Sequence, residues 1–208
     1  MALKTGISTR YYSQAGQDRW VAETFRHRKR GFFLDIGAFD GVNISNTYYL
    51  EKLGWDGICV EPNPDIFARL TRNRKVKCMR CAIYSENKMI RFHRAGAGSG
   101  ISPNGEIKIQ AYTLRTLFEI CQVPEVIDYI SLDVEGMEDE VLKGFPFDTH
   151  AVALWTIEHN YAKDNGKLKQ RIRDIMLSNG YVVAVDNVYC GHDPFEDWWV
   201  NEELVKGQ

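Results

Sequence analysis

Along the chain, short runs of consecutive apolar residues alternate with stretches in which apolar side chains recur every three or four positions. Runs such as Phe32-Phe33-Leu34, Ile58-Cys59-Val60 and Val182-Val183-Ala184-Val185 lack polar alternation, as strands covered on both faces do. The pattern predicts strands over 31–36, 57–61, 76–83, 129–133, 151–158 and 181–185. Helical spacing predicts helices over 17–27, 44–53, 65–73 and 167–179. Their ends are punctuated: Asn63-Pro64 supplies a cap residue and a first-turn proline, and Gly54 and Gly180 stand where helices should stop. Strands alternating with helices read as an α/β fold with a parallel sheet and crossover helices. The segment 93–105, crowded with glycines at 96, 98, 100 and 105, reads as a mobile loop and a possible lid.

Composition narrows the class. With 208 residues, 44% of them hydrophobic, the chain has the material for one well-cored domain spanning 1–208, with residues 1–30 as an N-terminal helical extension. The balance of 26 Lys+Arg against 28 Asp+Glu argues against a nucleic-acid partner. No stretch approaches the roughly 18 apolar residues of a membrane span, and no signal peptide is visible, so a cytoplasmic location is expected. Five cysteines, an odd number, suit a reducing compartment. The pair Cys78 and Cys81 lacks the further ligands that a structural zinc requires.

The strongest chemical signal is Asp35-Ile36-Gly37-Ala38-Phe39-Asp40-Gly41, which follows the first strand and precedes a helix. Glycines at such a turn let backbone approach a ligand, and a helix start offers free N–H groups to an anion. The turn departs from the dinucleotide pattern G-x-G-x-x-G, which weakens the alternative of a nicotinamide-dependent sugar oxidoreductase or epimerase. Carboxylates at Asp35 and Asp40 would repel a pyrophosphate and attract a cofactor carrying an ammonium and a sulfonium. S-adenosylmethionine carries both. Glu61, ending the second strand, is placed to accept the two hydroxyls of a ribose.

These residues, with Tyr12-Ser13-Gln14-Ala15-Gly16-Gln17-Asp18, Ser45-Asn46-Thr47, Leu53-Gly54-Trp55-Asp56-Gly57, Glu61-Pro62-Asn63 and Asp133-Val134-Glu135-Gly136-Met137-Glu138, resemble the FkbM-type S-adenosylmethionine-dependent methyltransferases. The resemblance implies a class I methyltransferase fold: a Rossmann-like three-layer sandwich on a mostly parallel seven-stranded sheet whose last strand is reversed. Trp198-Trp199-Val200 is the stretch available for that strand. It also implies O-methylation of a sugar, glycan or glycosylated product. Separately, a domain this compact could be one part of a larger polypeptide with glycosyltransferase modules. The residues the resemblance assigns to the cofactor are Asp35, Gly37, Ala38, Asp40, Gly41 and Asn46 around the methionine part and Glu61 and Pro62 at the ribose. Ala82, Ile83 and Ser85 would line the adenine pocket, and Asp133 would face the reacting centre.

Transfer to a hydroxyl requires alignment and removal of a proton. Strand ends bring Asp133, Glu135, Glu158 and His159 toward the methyl group, with His159 the expected general base because imidazole titrates near neutrality. Asp133, Glu158 and Asn160 also make an oxygen set of the kind that holds Mg or Mn. Asp139 and Glu140 read as solvated first-turn acids. The basic run 26–30 is a possible phosphate-binding segment. A non-catalytic S-adenosylmethionine-binding module is the remaining alternative, disfavoured by the presence of the Asp133/Glu158/His159 group.

Overall fold

The structure is a computed structural model that describes residues 10–206, apart from the side chain of Ala97. Residues 1–9 of the expected N-terminal extension lie outside the described residues. In chain order the first elements are α1 (Gln17–Thr24), β1 (Phe32–Ile36), α2 (Tyr48–Leu53), β2 (Asp56–Val60), α3 (Pro64–Asn73) and β3 (Lys77–Met79). A small sheet follows, from β4 (Ala82–Ile83), β5 (Lys88–His93), a 3-10 turn (Gly96–Gly98), β6 (Gly100–Ile101) and β7 (Ile107–Tyr112). The chain then forms α4 (Leu114–Cys121), β8 (Val126–Leu132), α5 (Glu138–Lys143), β9 (Ala151–Glu158), α6 (Tyr161–Asp164) and α7 (Lys167–Ser178). It ends in β10 (Val182–Cys190), β11 (Asp193–Val200) and α8 (Glu202–Lys206).

The main sheet has seven strands in the order β10-β11-β9-β8-β1-β2-β3. Strands β3, β2, β1, β8 and β9 pair in parallel, and β11 runs antiparallel to both β9 and β10. The reversed strand thus contains Trp198, Trp199 and Val200, as the resemblance implied.

Strand alternation sorts the core into two layers. Leu34, Ile58 and Ile130 pack with α4, α5 and α7 through Leu117, Leu142 and Ile172. Phe33, Cys59 and Tyr129 face the other way, against Val21 of α1, Leu50 of α2 and Leu70 of α3. Each fully buried side chain of this size contributes about 1.5–3 kcal/mol. Helix starts follow the expected chemistry at Asn63, whose side chain accepts from the Asp65 N–H at 3.1 Å, and at Thr113, which accepts from Thr116 N–H at 3.1 Å.

Three expectations change. The strand expected over 76–83 is interrupted at Arg80, so Lys77–Met79 ends the main sheet while Ala82–Ile83 joins the second sheet, ordered β4-β7-β5-β6. The second sheet went unpredicted, although Ile90 and Phe92 alternate with exposed neighbours as a half-buried strand should. The 93–105 segment contributes His93, Gly100 and Ile101 to that sheet and is otherwise a 3-10 turn and loop. Gly105 is pressed against Phe92, where an added Cβ would lie 2.3 Å from the Phe92 nitrogen. Lastly, the helix expected from residue 44 begins only at Tyr48, after an irregular loop.

Candidate active site

The carboxyl ends of β1, β2, β8 and β9 surround a cleft of about 220 Å³. A doubly wound parallel sheet opens such a crevice where its strand order reverses, here between β1 and β8. The crossing is tight. Gly37, with φ +90°, passes so close to β8 that a Cβ there would lie 1.8 Å from the Asp133 carbonyl oxygen, so no other residue fits.

Of the residues assigned to the cofactor, Asp35, Gly37, Ala38, Asn46, Glu61, Pro62, Ala82, Ile83 and Asp133 line the cleft. Asp40, Gly41 and Ser85 do not. The Asp40 carboxylate folds back on its own loop, accepting from Val42 N–H (3.1 Å), Asn43 N–H (2.9 Å) and the Asn43 side chain (2.6 Å). Gly41 makes room for Leu70 and Arg74, 2.6 and 2.7 Å from where its Cβ would sit. Ser85 Oγ donates to Glu140 Oε2 at 2.7 Å, outside the cleft. Nor are the N–H groups of Gly37 and Ala38 free for an anion, since both donate to the Val60 carbonyl at 3.0 Å.

Asp35 is held from behind. Thr47 Oγ1 donates to its Oδ2 at 2.5 Å and the Arg74 guanidinium stands 3.8 Å away, yet burial outweighs both and raises its pKa. Arg74 is fully buried and ties the loop together, reaching Glu51 Oε2 (2.5 Å), Thr47 Oγ1 (3.0 Å) and the Gly41 carbonyl (3.3 Å). Asn46 donates to Ser131 Oγ at 2.9 Å, while its Oδ1 is buried without a partner. An unpaired acceptor of that kind is costly unless a donor arrives. Burial pushes Glu61 up to about 7, partly offset by the N–H groups of Asn63, 2.7 Å from Oε1, and Phe39, with Asp133 and Asp35 adding repulsion.

The register of β8, β9 and β11 sets Asp133, Glu158 and Glu196 side by side on one face. Carboxyl oxygens of Asp133 and Glu158 lie within 4.8 Å of each other, so the two groups titrate as a coupled pair. Burial raises both, and the Asp133 charge raises Glu158 further, so Glu158 is the harder of the two to ionise. Glu135, with φ 61°, lines the cleft and meets Lys163 Nζ at 2.7 Å. Glu138 was missed by the sequence reading. Its fully buried carboxylate accepts from Val134 N–H (2.9 Å) and Gly136 N–H (3.1 Å), shaping the turn that presents Asp133 and Glu135. Burial, then the Asp133 charge, push it up to about 8. An acid at the first helical position after a glycine was its only sequence signal.

His159 is not in the cleft. It follows β9 on the opposite face, buried, with Nε2 3.4 Å from Asp197 Oδ1. The same alternation that points Glu158 at Asp133 turns His159 away. Asn160 likewise lies outside the lining, starting α6 at φ 42°. The oxygen set expected from Asp133, Glu158 and Asn160 is therefore not assembled. The third carboxylate within 4.8 Å of the first two is Glu138, whose oxygens are taken by backbone N–H groups, while burial holds Glu158 against ionisation. These residues do not fit a divalent cation.

Other expectations resolve as packing. Asp139 is buried against Arg171 Nε at 2.7 Å. Arg28, in the basic run, pairs with Asp128 and lies over Phe25 and Trp55. Trp198 stacks on Trp20 at 4.8 Å.

The fold is that of the class I S-adenosylmethionine-dependent methyltransferases, and comparison with solved structures agrees. The chain superposes on magnesium protoporphyrin IX methyltransferase from Synechocystis PCC 6803 with a TM-score of 0.55 at 11% identity, covering 90% of this chain and 79% of that one. It superposes on the fibrillarin pre-rRNA processing protein of Methanococcus jannaschii with a TM-score of 0.52 at 13% identity, covering 84% and 67%. These likenesses concern the fold alone.

Residues 35–183 match the methyltransferase FkbM domain, and the chain belongs to that family. It is an S-adenosylmethionine-dependent methyltransferase. It is also 25% identical over 195 residues to the hexuronic acid methyltransferase AglP of Haloferax volcanii, covering 86% of this chain and 81% of that protein. No helix among the described residues is long and apolar enough to cross a membrane.

Proposed function

We propose that the protein methylates a hydroxyl group of a sugar or glycan. The observation that carries this reading is the carboxyl pair Asp133–Glu158 facing the cleft, with the charge on Asp133. S-adenosylmethionine supplies an electrophilic methyl group when bound. Glu61 would accept the ribose hydroxyls, Ala82 and Ile83 would flank the adenine, and the orphaned Asn46 Oδ1 would receive the ammonium together with Asp35. The acceptor hydroxyl gives its proton to Asp133 as the carbon–oxygen bond forms and the carbon–sulfur electron pair stays on sulfur. Glu158, donating to Asp133, keeps that carboxylate ionised and oriented. Positioning supplies the rest of the acceleration.

AglP, by its name a hexuronic acid methyltransferase, supports a sugar acceptor. The test is transfer from labelled S-adenosylmethionine to a panel of mono- and oligosaccharides, with product linkage read by mass spectrometry. Methyl ethers on sugar oxygens are expected. Methylation confined to nitrogen or carboxyl acceptors overturns the reading.

A further inference from the structure

Five carboxyl-bearing side chains line the cleft, Asp35, Glu61, Asp133, Glu135 and Glu158, and no Lys, Arg or His among the described residues lines it with them. The cations near these acids are already committed. Arg74 is fully buried behind Asp35 and bonded to Glu51, and Lys163 Nζ approaches from the solvent side to hold Glu135 at 2.7 Å. With Asp35 and Glu135 so paired, the carboxyl groups left at Glu61, Asp133 and Glu158 suit the ammonium and sulfonium of the cofactor and present no cation to an anionic acceptor.

The neutral polar groups point the same way. Gln14 reaches the cleft on a strap that Asp18 pins, its fully buried carboxylate accepting from Tyr12 N–H (2.6 Å) and Ser13 Oγ (2.6 Å) while Ser13 bridges to Ile44. An amide offers hydrogen bonds to hydroxyls without a charge.

We infer that the portion of the acceptor entering the cleft is an uncharged, hydroxyl-rich sugar ring, and that a carboxylate or phosphate beside the reacting hydroxyl disqualifies an acceptor. The inference rests on the sugar-hydroxyl reading above and narrows it. An anionic group would be desolvated among carboxylates with no cation to meet it, and such unpaired charge is the strongest basis for rejection.

The experiment compares kcat/KM for three matched glycosides: a methyl hexoside, its uronate, and the uncharged uronamide. The hexoside and uronamide are expected to exceed the uronate at least tenfold, with the gap shrinking on Glu135→Gln, which releases Lys163. A uronate used as well as the hexoside overturns the inference and leaves the sugar-hydroxyl reading standing. A gap indifferent to Glu135→Gln overturns its electrostatic basis. Transfer to none of the three, with calorimetric binding of S-adenosylmethionine intact, overturns both.

Discussion

Glu158 and His159 are adjacent in sequence, both buried, and belong to two regions built on opposite principles. On the cleft face Glu158 joins Asp133 in a carboxyl pair with no cation in direct contact. On the other face His159 joins a knot in which Asp197 is surrounded: Lys169 Nζ at 3.2 Å, Arg173 Nε at 3.1 Å, His159 at 3.4 Å and the Asn187 N–H at 2.9 Å. Burial opposes ionisation of Asp197, but the contacts with His159, Asn187 and Lys169 outweigh it and hold its carboxyl well below the usual carboxylate range. The knot fastens α7 to β10 and β11. One region gathers cations around its acid and fastens elements together; the other sets two acids side by side at the rim of a cleft.

The largest expected effect falls on the knot. Asp197→Ala removes the buried carboxylate on which Lys169, Arg173 and His159 converge, leaving the two cations only the half-exposed Asp186, and should cost about 3–5 kcal/mol, roughly 6–20 °C in Tm for a chain of this size. Calorimetry checks it, with S-adenosylmethionine affinity at low temperature unchanged. Because the folded pKa is depressed, this stabilisation is present above the unfolded value of about 3.9 and disappears as pH falls through the folded value.

In the cleft, Glu61→Gln should weaken S-adenosylmethionine binding by roughly 10- to 100-fold, the worth of charge-assisted hydrogen bonds. The wild-type affinity should rise with pH through about 7, as Glu61 ionises, and the variant should be flat. Titration at pH 6 and 8 decides.

Glu158→Ala removes the donor that keeps Asp133 ionised, so turnover should fall by about tenfold on the acid side of the pH–rate profile and recover as pH rises. Glu158→Gln, which still donates, should behave nearly as wild type. Equal profiles for the two variants would separate Glu158 from the chemistry.

The smallest effect is expected at His159. His159→Gln should lower Tm while leaving turnover within about twofold, against the general-base role its sequence position suggests. A large loss of turnover with unchanged Tm would erase the distinction between the two regions.

The sequence made some of this legible and hid the rest for physical reasons. Gly37 and Glu61 stand at the ends of strongly apolar strands, where residue type and position coincide. His159 sits one residue past Glu158, and a strand reverses its side chain at every step, which composition alone does not register. Asp40 and Gly41 belong to the same motif as Gly37 but support the loop instead of lining the cleft. Arg74 and Gln14 lie 39 and 21 residues from Asp35 along the chain, and only the packing of α3 and the strap brings them near. The glycines of 93–105 pointed to a loop, but not to the contact of Ser99 with Asn63 at 3.2 Å or to Ile101 and Phe92 as walls of the cleft.

The central claim is that Asp133 takes the proton of the acceptor hydroxyl. Single-turnover transfer of a deuterated methyl group to a sugar acceptor, followed by mass spectrometry in wild type and Asp133→Asn, tests it most directly. The rate is expected to be lower by about 10² to 10⁴ in the variant, with S-adenosylmethionine still bound. A variant that transfers at the wild-type rate would contradict it.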